Sequence, residues 1–183
     1  MSGVSRVVVG VSGSPGSISA LRIAADHASR DGVPLVAVHA WIPPGGDYAD
    51  RRSPSPYLRA IWKRAAADRL KEAIDSAWGG PPAGVSFDCL VARGKAGPVL
   101  LQVADSAADL LVVGAGQRGL PTRLWRGRVT RYCQARAGCP VLAVPPATVP
   151  KLWGRTSGWS WRYRELTADQ VLREMQGLGQ GDR

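Results

Sequence analysis

At 183 residues the chain is long enough for one domain with a full hydrophobic core plus an appendage, and 45% hydrophobic with 21% charged residues is the make-up of an ordinary globular protein. Its 22 Gly and 14 Pro fall at turns and in two loops without a repeat, which excludes a collagen-like or low-complexity chain. The formal net charge is +10, and six arginines between Arg118 and Arg136, with no acid among them, carry more than half of that excess.

No apolar run approaches the roughly 20 residues that span a bilayer, so no membrane association is expected. The N-terminal stretch MSGVSRVVVGVSG has too short an apolar run and no suitable cleavage site for a signal peptide, which makes the cytoplasm the expected location. Cys89, Cys133 and Cys139 form no C-x-x-C pair and are odd in number, so buried reduced thiols are expected. With His27 and His39 the only histidines and no spaced ligand set, no metal site is expected.

In chain order, Val7 to Val11 predicts a first strand, and the turn SGSPGS follows with Ser17 as the expected helix cap. Ile18, Leu21, Ala25 and Ala28 stand at helical spacing, and Gly32 and Pro34 end that helix. Leu35 to Trp41 predicts a second buried strand, which completes a right-handed βαβ unit. Pro43 to Pro56 has no apolar period and predicts a long mobile flap. A helix is predicted from Ser55, with Pro56 at its first position, to Trp78; Leu58, Trp62, Ala65, Ala66, Ala73, Ile74 and Ala77 give it an apolar face. Val85 to Ala92 predicts a third strand near a sheet edge, and Pro98 opens a short helix carrying Val99, Leu100, Val103 and Ala104.

The stretch from Ala108 to Pro146 organises the rest. Leu110 to Val113 and Val141 to Val144 are apolar on both faces, which suits strands covered on both sides in a parallel sheet. Between them lie Gly114, Gly116 and Gly119, then Gly127 ahead of an amphipathic segment with Val129, Tyr132, Cys133 and Arg136. The tally is five strands alternating with four helices, which predicts an α/β fold with a parallel, doubly wound five-stranded sheet, and 3-2-1-4-5 is the order taken for it. In that order Ser12 and Gly114 flank one crevice at the switch point, where open α/β sheets bind ligands and unpaired helix N–H groups favour phosphate. The arginine cluster reads either as a phosphate-attracting field or as a solvated helix face, and the residues leave both open.

The composition changes after Pro150. Trp153, Trp159 and Trp161 are expected to pack on the domain or on a partner subunit, with base stacking as the alternative; Thr167 to Gln170 begins a short capped helix. His39 fits the buried pattern of the second strand and reads as a satisfied core histidine. His27 has no nucleophile spaced for a relay, and no catalytic set emerges. SGSPGS lacks the second glycine and the acid of the ATP pyrophosphatase loop SGGxDS, and no Walker A loop occurs.

VVVGVSGSPGSISAL, LVAVHAW, ADLLVVGAG, RGLPTRLWRGRV and CPVLAVPP, in that order and spacing, resemble the universal stress protein family over roughly residues 4 to 146. The resemblance implies a Rossmann-like fold of the adenine-nucleotide alpha hydrolase type, a domain over 1–147 with 148–183 as an extension, and a homodimer paired through Val141 to Val144. Members with a nucleotide site carry an Asp after strand 1 and G-x-x-G-x9-G-[ST] after strand 4. Here Ser12 replaces the acid, Gly114 and Gly127 remain, Gln117 stands at the second glycine and Arg128 at the hydroxyl. Carried over, the cofactor-binding positions are Gly10, Val11, Ser12, Gly13, Ala40, Gly114, Gln117, Arg118, Gly127, Arg128 and Val129. Arg128 favours an anion, whereas Gln117 puts a side chain where close backbone approach calls for glycine. The expected function is stress response by binding, without turnover, at an ATP site weakened or lost. The rivals are a true ATP-binding member, in which arginines compensate for the missing acid and hydroxyl, and a nucleic-acid or acidic-partner binder using Arg118 to Arg136.

Overall fold

The computed structural model describes residues 3–115 and 127–146. Five strands, β1 (Arg6–Gly10), β2 (Leu35–Trp41), β3 (Phe87–Arg93), β4 (Asp109–Gly114) and β5 (Val141–Val144), form one parallel sheet in the order β3-β2-β1-β4-β5. This is the order expected, and the doubly wound, Rossmann-like α/β fold with it. Five helices lie among the described residues: α1 (Pro15–Asp31), α2 (Gly46–Arg52), α3 (Pro56–Trp78), α4 (Ala96–Val103) and α5 (Arg128–Arg136). The tail from 148, its tryptophans, Gly116, Gly119 and the arginines at 118, 123 and 126 lie outside the described residues. Among those described, no helix is long and apolar enough to cross a membrane.

Each strand is apolar on both faces because each face has its own helices to meet. Val7, Val9, Leu35 and Ala37 join Leu21 and Ala24 of α1 and Leu70 and Ile74 of α3 in one core. Val8, Val38, Leu111 and Val113 pack instead with Val99 and Leu100 of α4 and Cys133 of α5. Cys133 and Cys139 are buried, Cys89 is half-buried, and all three are free thiols. Burial pushes the Cys89 thiol up to about 12 and the Cys133 thiol up to about 11, so both stay protonated at neutral pH.

Four local expectations are corrected. The cap of α1 is Ser14, not Ser17: its side chain accepts from the Ser17 N–H, and Ser17 already lies inside the helix. The helix expected at Pro98 begins two residues earlier, at Ala96. The first turns of α3 run past the core, so Leu58 and Ala65 of its expected apolar face are exposed, while Ala66, Leu70, Ala73, Ile74 and Ala77 are buried.

The fourth correction is the flap between Pro43 and Pro56, which contains α2. That helix makes the observed count five, not four, and distant charges hold it. The Asp50 carboxylate, 1% exposed, receives Arg59 Nε at 2.9 Å and Arg93 Nη2 at 2.8 Å, and Arg93 also reaches Asp47 at 2.8 Å. A helix of seven residues has little stability of its own, so these ion pairs to α3 and to the end of β3 decide its place.

The sheet is tied across its switch point at both ends. Below, Arg6 on β1 grips Asp109 on β4, Nε to Oδ1 at 3.1 Å, and Asp109 is buried. Above, β4 ends against the first turn of α1: a Cβ on Gly114 would lie 2.7 Å from the Gly16 carbonyl carbon and 2.9 Å from the Ser17 nitrogen. Both are backbone atoms and cannot swing aside.

Gly114→Ala is therefore expected to lower the stability by about 1–3 kcal/mol, the range of overpacking changes, read as a fall in the urea midpoint. The Arg59 and Arg93 guanidiniums hold the Asp50 carboxyl below its ordinary 3.8, so its contribution is full above that value and lost as pH falls through the lower folded value. Hydrogen exchange of Gly46–Arg52 should show protection from neutral pH down to the ordinary carboxylate range, with release only below it; Asp50→Asn should release the segment at neutral pH.

Candidate functional site

The C-terminal ends of β1, β2 and β4 open into one cavity of about 400 Å³. Its floor is laid by the strand ends Gly10, Val11, Val38 and Val113, and its walls by the first residues of three helices. Ser14, Gly16 and Ser17 come from the start of α1, Ala96 from α4, and Arg128, Val129 and Thr130 from α5. Three helix N-termini facing one hollow bring three sets of backbone N–H groups and three positive dipole ends to it. The starts of α4 and α5 have no side-chain cap, and α5 is preceded by Gly127 in the left-handed conformation, φ 85°.

Of the positions singled out in the sequence, Gly10, Val11, Ser12, Ala40, Gly114, Gly127, Arg128 and Val129 come together around this cavity, from strands and loops up to 119 residues apart in sequence (Gly10 to Val129). Gly13 does not line it and serves as a turn residue with φ 79°. Gln117 and Arg118 lie outside the described residues. Gly114 is required by packing, because the α1 backbone occupies the space a side chain would take. Close approach of two backbones, and not contact with a ligand alone, thus explains that glycine.

Thr130 and His39 are among the lining residues that were not singled out as site positions. Thr130 is buried, and its Oγ1 donates to the Gly114 carbonyl at 2.9 Å, so it ties the start of α5 to the end of β4. A hydroxyl two residues past Arg128 is the signal that could have found it. His39 is 7% exposed, and its Nδ1 lies 2.8 Å from the Val11 carbonyl oxygen. Burial lowers its pKa, the Val11 bond opposes that, and the Arg69 charge adds to the lowering, so the ring is neutral at physiological pH. The expectation of a buried histidine holds for its burial, and the residue also lies along the cavity.

The lining is short of anionic groups. None of the described residues around the cavity carries a carboxylate, since Ser12 stands at the end of β1 and no acid takes its place from a neighbouring element. Among the described residues no group of three or more His, Cys, Asp or Glu is placed to hold a metal ion. Backbone N–H groups, the Ser12, Ser14 and Ser17 hydroxyls and the exposed Arg128 make the hollow a receptor for negative charge.

Residues 3–145 match the sequence profile of the Universal stress protein family. The chain belongs to that family. Universal stress protein Rv1996 of Mycobacterium tuberculosis is 34% identical over 143 residues, which cover 74% of this chain and 42% of that protein. The chain thus spans less than half the length of the curated relatives it matches. Among solved structures, a universal stress protein in complex with cAMP is 28% identical with a TM-score of 0.52, covering 80% of this chain and 100% of that one. UspA from Lactobacillus plantarum, 20% identical with a TM-score of 0.58 over 79% of this chain and 99% of its own, shares the fold.

In this universal stress domain the Thr130 bond fixes how far α5 stands from β4, and hence the width of the cavity mouth. Thr130→Val should cost about 1 kcal/mol, the net worth of one hydrogen bond, measured by chemical denaturation.

Proposed function

We propose that this universal stress domain acts by binding, without turnover, and that its crevice takes an adenine nucleotide carrying few phosphates and no bound magnesium, such as AMP or its cyclic form. The observation that carries this reading is the charge inventory of the cavity: three helix N-termini and Arg128 face it, and no carboxylate among the described residues does. A triphosphate normally arrives with a divalent cation, which needs carboxylate or other hard oxygen partners to be held. A monophosphate asks only for N–H groups, hydroxyls and a guanidinium, and those are present. The relative crystallised with cAMP, 28% identical over 80% of this chain, supports a nucleotide of this class.

On this reading Gly10, Val11, Ser12 and Ala40 form the base and ribose side of the site, and Gly114, Gly127, Arg128 and Val129 the phosphate side, with Gln117 and Arg118 belonging to the segment between them. Residues 1–147 are the functional unit, and 148–183 is an extension with a separate role. β5 pairs with β4 on one edge and has no strand on the other among the described residues, and Val141, Leu142 and Ala143 are half-buried, which supports a homodimer paired there. Three thiols without a disulfide suit the reducing cytoplasm.

Calorimetric titration with AMP, cAMP, ADP and ATP, with and without magnesium, tests the proposal. Micromolar binding of AMP or cAMP, indifferent to magnesium, is the expected result, with Arg128→Ser weakening AMP by about tenfold, the effect of removing one charge-assisted contact. Tight, magnesium-dependent ATP binding by the wild type would overturn it.

A further inference from the structure

The two faces of the sheet differ in charge. On one, α1 and α3 interleave their cations with Asp26, Asp31, Asp68, Glu72 and Asp75. On the other, α4 and α5 carry no acid, and Arg128, Arg131 and Arg136 stand exposed along α5. From Leu110 to Arg164 the sequence holds no Asp or Glu, and Asp105, the first acid past α4, bonds to Arg6 at 3.4 Å. Exposed Lys95 precedes α4, which begins beside α5: a Cβ on Gly97 would lie 2.5 Å from Cδ1 of Tyr132. The Tyr132 ring, set against Gly97, carries the Arg136 guanidinium 4.6 Å from its centroid, which holds that cation in place before any anion arrives.

We infer that the α4–α5 face binds the phosphate backbone of a nucleic acid, without reading its sequence, through Lys95, Arg128, Arg131 and Arg136. This face has charge but little apolar surface. Val129 is 37% exposed, and every other exposed large hydrophobic side chain among the described residues lies between Ile42 and Ile61. A protein partner is held by an apolar, aromatic-rich centre that excludes water, which this face does not offer. A nucleic-acid backbone needs no such centre, because its affinity comes from cations that neutralise phosphates and release counterions. Arg128 to Arg136 spans about 12 Å along the helix, the length of about three nucleotides of one strand. The binding goes beyond the nucleotide reading and does not need it, since Lys95, Arg131 and Arg136 do not line the cavity.

Fluorescence anisotropy of the full chain with labelled DNA duplexes of two unrelated sequences, titrated at several salt concentrations, tests this. Both duplexes should bind alike, and the logarithm of the affinity should fall linearly with that of salt, with a slope of about −3.5 or steeper for four phosphates. Arg131→Ala and Arg136→Ala should each make the slope shallower by about 0.9, which is about eightfold in affinity at roughly 0.1 M salt. Arg64→Ala, the same charge change at an exposed position of α3, should alter the affinity less than about twofold. An equal loss in Arg64→Ala would reduce the binding to net charge alone and overturn the assignment to this face. So would wild-type affinity kept by the Arg131→Ala, Arg136→Ala double variant, or no salt-dependent binding at all. A polyglutamate peptide bound as tightly as the duplexes would make the face a site for acidic protein and overturn the nucleic-acid reading.

Discussion

The pairing of β1 with β4 is the contact on which the site depends. Val7, Val8 and Val9 lie in register with Leu110, Leu111 and Val112, residues about a hundred positions away in the chain. At this junction the sheet reverses its direction of winding, and the helices that follow the two strands diverge to opposite faces. The divergence leaves a hollow between the start of α1 and the start of α5. The Arg6–Asp109 pair closes the lower end of the junction, and the Gly114 contact with the α1 backbone closes the upper end. Burying an ion pair adds little net stability when the desolvation of both partners is counted. Its effect here is to favour one register, because a slip of β4 by one residue would bury Asp109 without its guanidinium and turn its apolar side chains to the wrong faces.

The hollow is a charged place built with few charged side chains. Helix N-termini supply partial positive charge fixed by the backbone, so no reorganisation is needed when an anion arrives. A carboxylate in the same wall would repel a phosphate unless a metal ion stood between them, and the described wall contains none. At the other end of the cavity the surface becomes apolar and neutral, through Val38 and Ala40. A ligand with one anionic end and one flat, weakly polar end matches this gradient. The division follows from topology: the phosphate end lies where a helix begins after β4, and the neutral end lies over β2, where the chain leaves the strand without starting a helix at once.

The short helix α2 shows how an element with no signal in its own residues comes to have a fixed place. GDYADRR has neither an apolar stripe nor a side-chain cap, and its propensities do not favour a helix over a loop. Its position comes from Asp50, which finds Arg59 on α3 and Arg93 at the end of β3. The helix cap is a smaller case of the same kind. Ser12, Ser14 and Ser17 are equivalent candidates by type, and only the backbone path of the turn, extended at Ser14 and helical after Pro15, selects among them.

The alternation of doubly apolar strands with helical periods determined, from sequence alone, a parallel, doubly wound sheet, and left few strand orders for it. Both faces of every strand must be covered, and right-handed crossovers leave few ways to do it. The crevice was legible for the same reason, since the switch point follows from strand order. Tertiary structure alone decided which groups in that crevice face a ligand. Gly114 is needed because the backbone of α1 passes against it, and Thr130 matters because its hydroxyl reaches across to β4. His39 shows the difference most clearly. Its burial could be read from the strand pattern, but the state of its ring depends on the Val11 carbonyl, 28 residues away in sequence and just past the end of the neighbouring strand. Periodicity along one chain reports which residues leave water; the partner a buried polar atom finds is set by another segment, and only their meeting in space assigns the atom its chemistry.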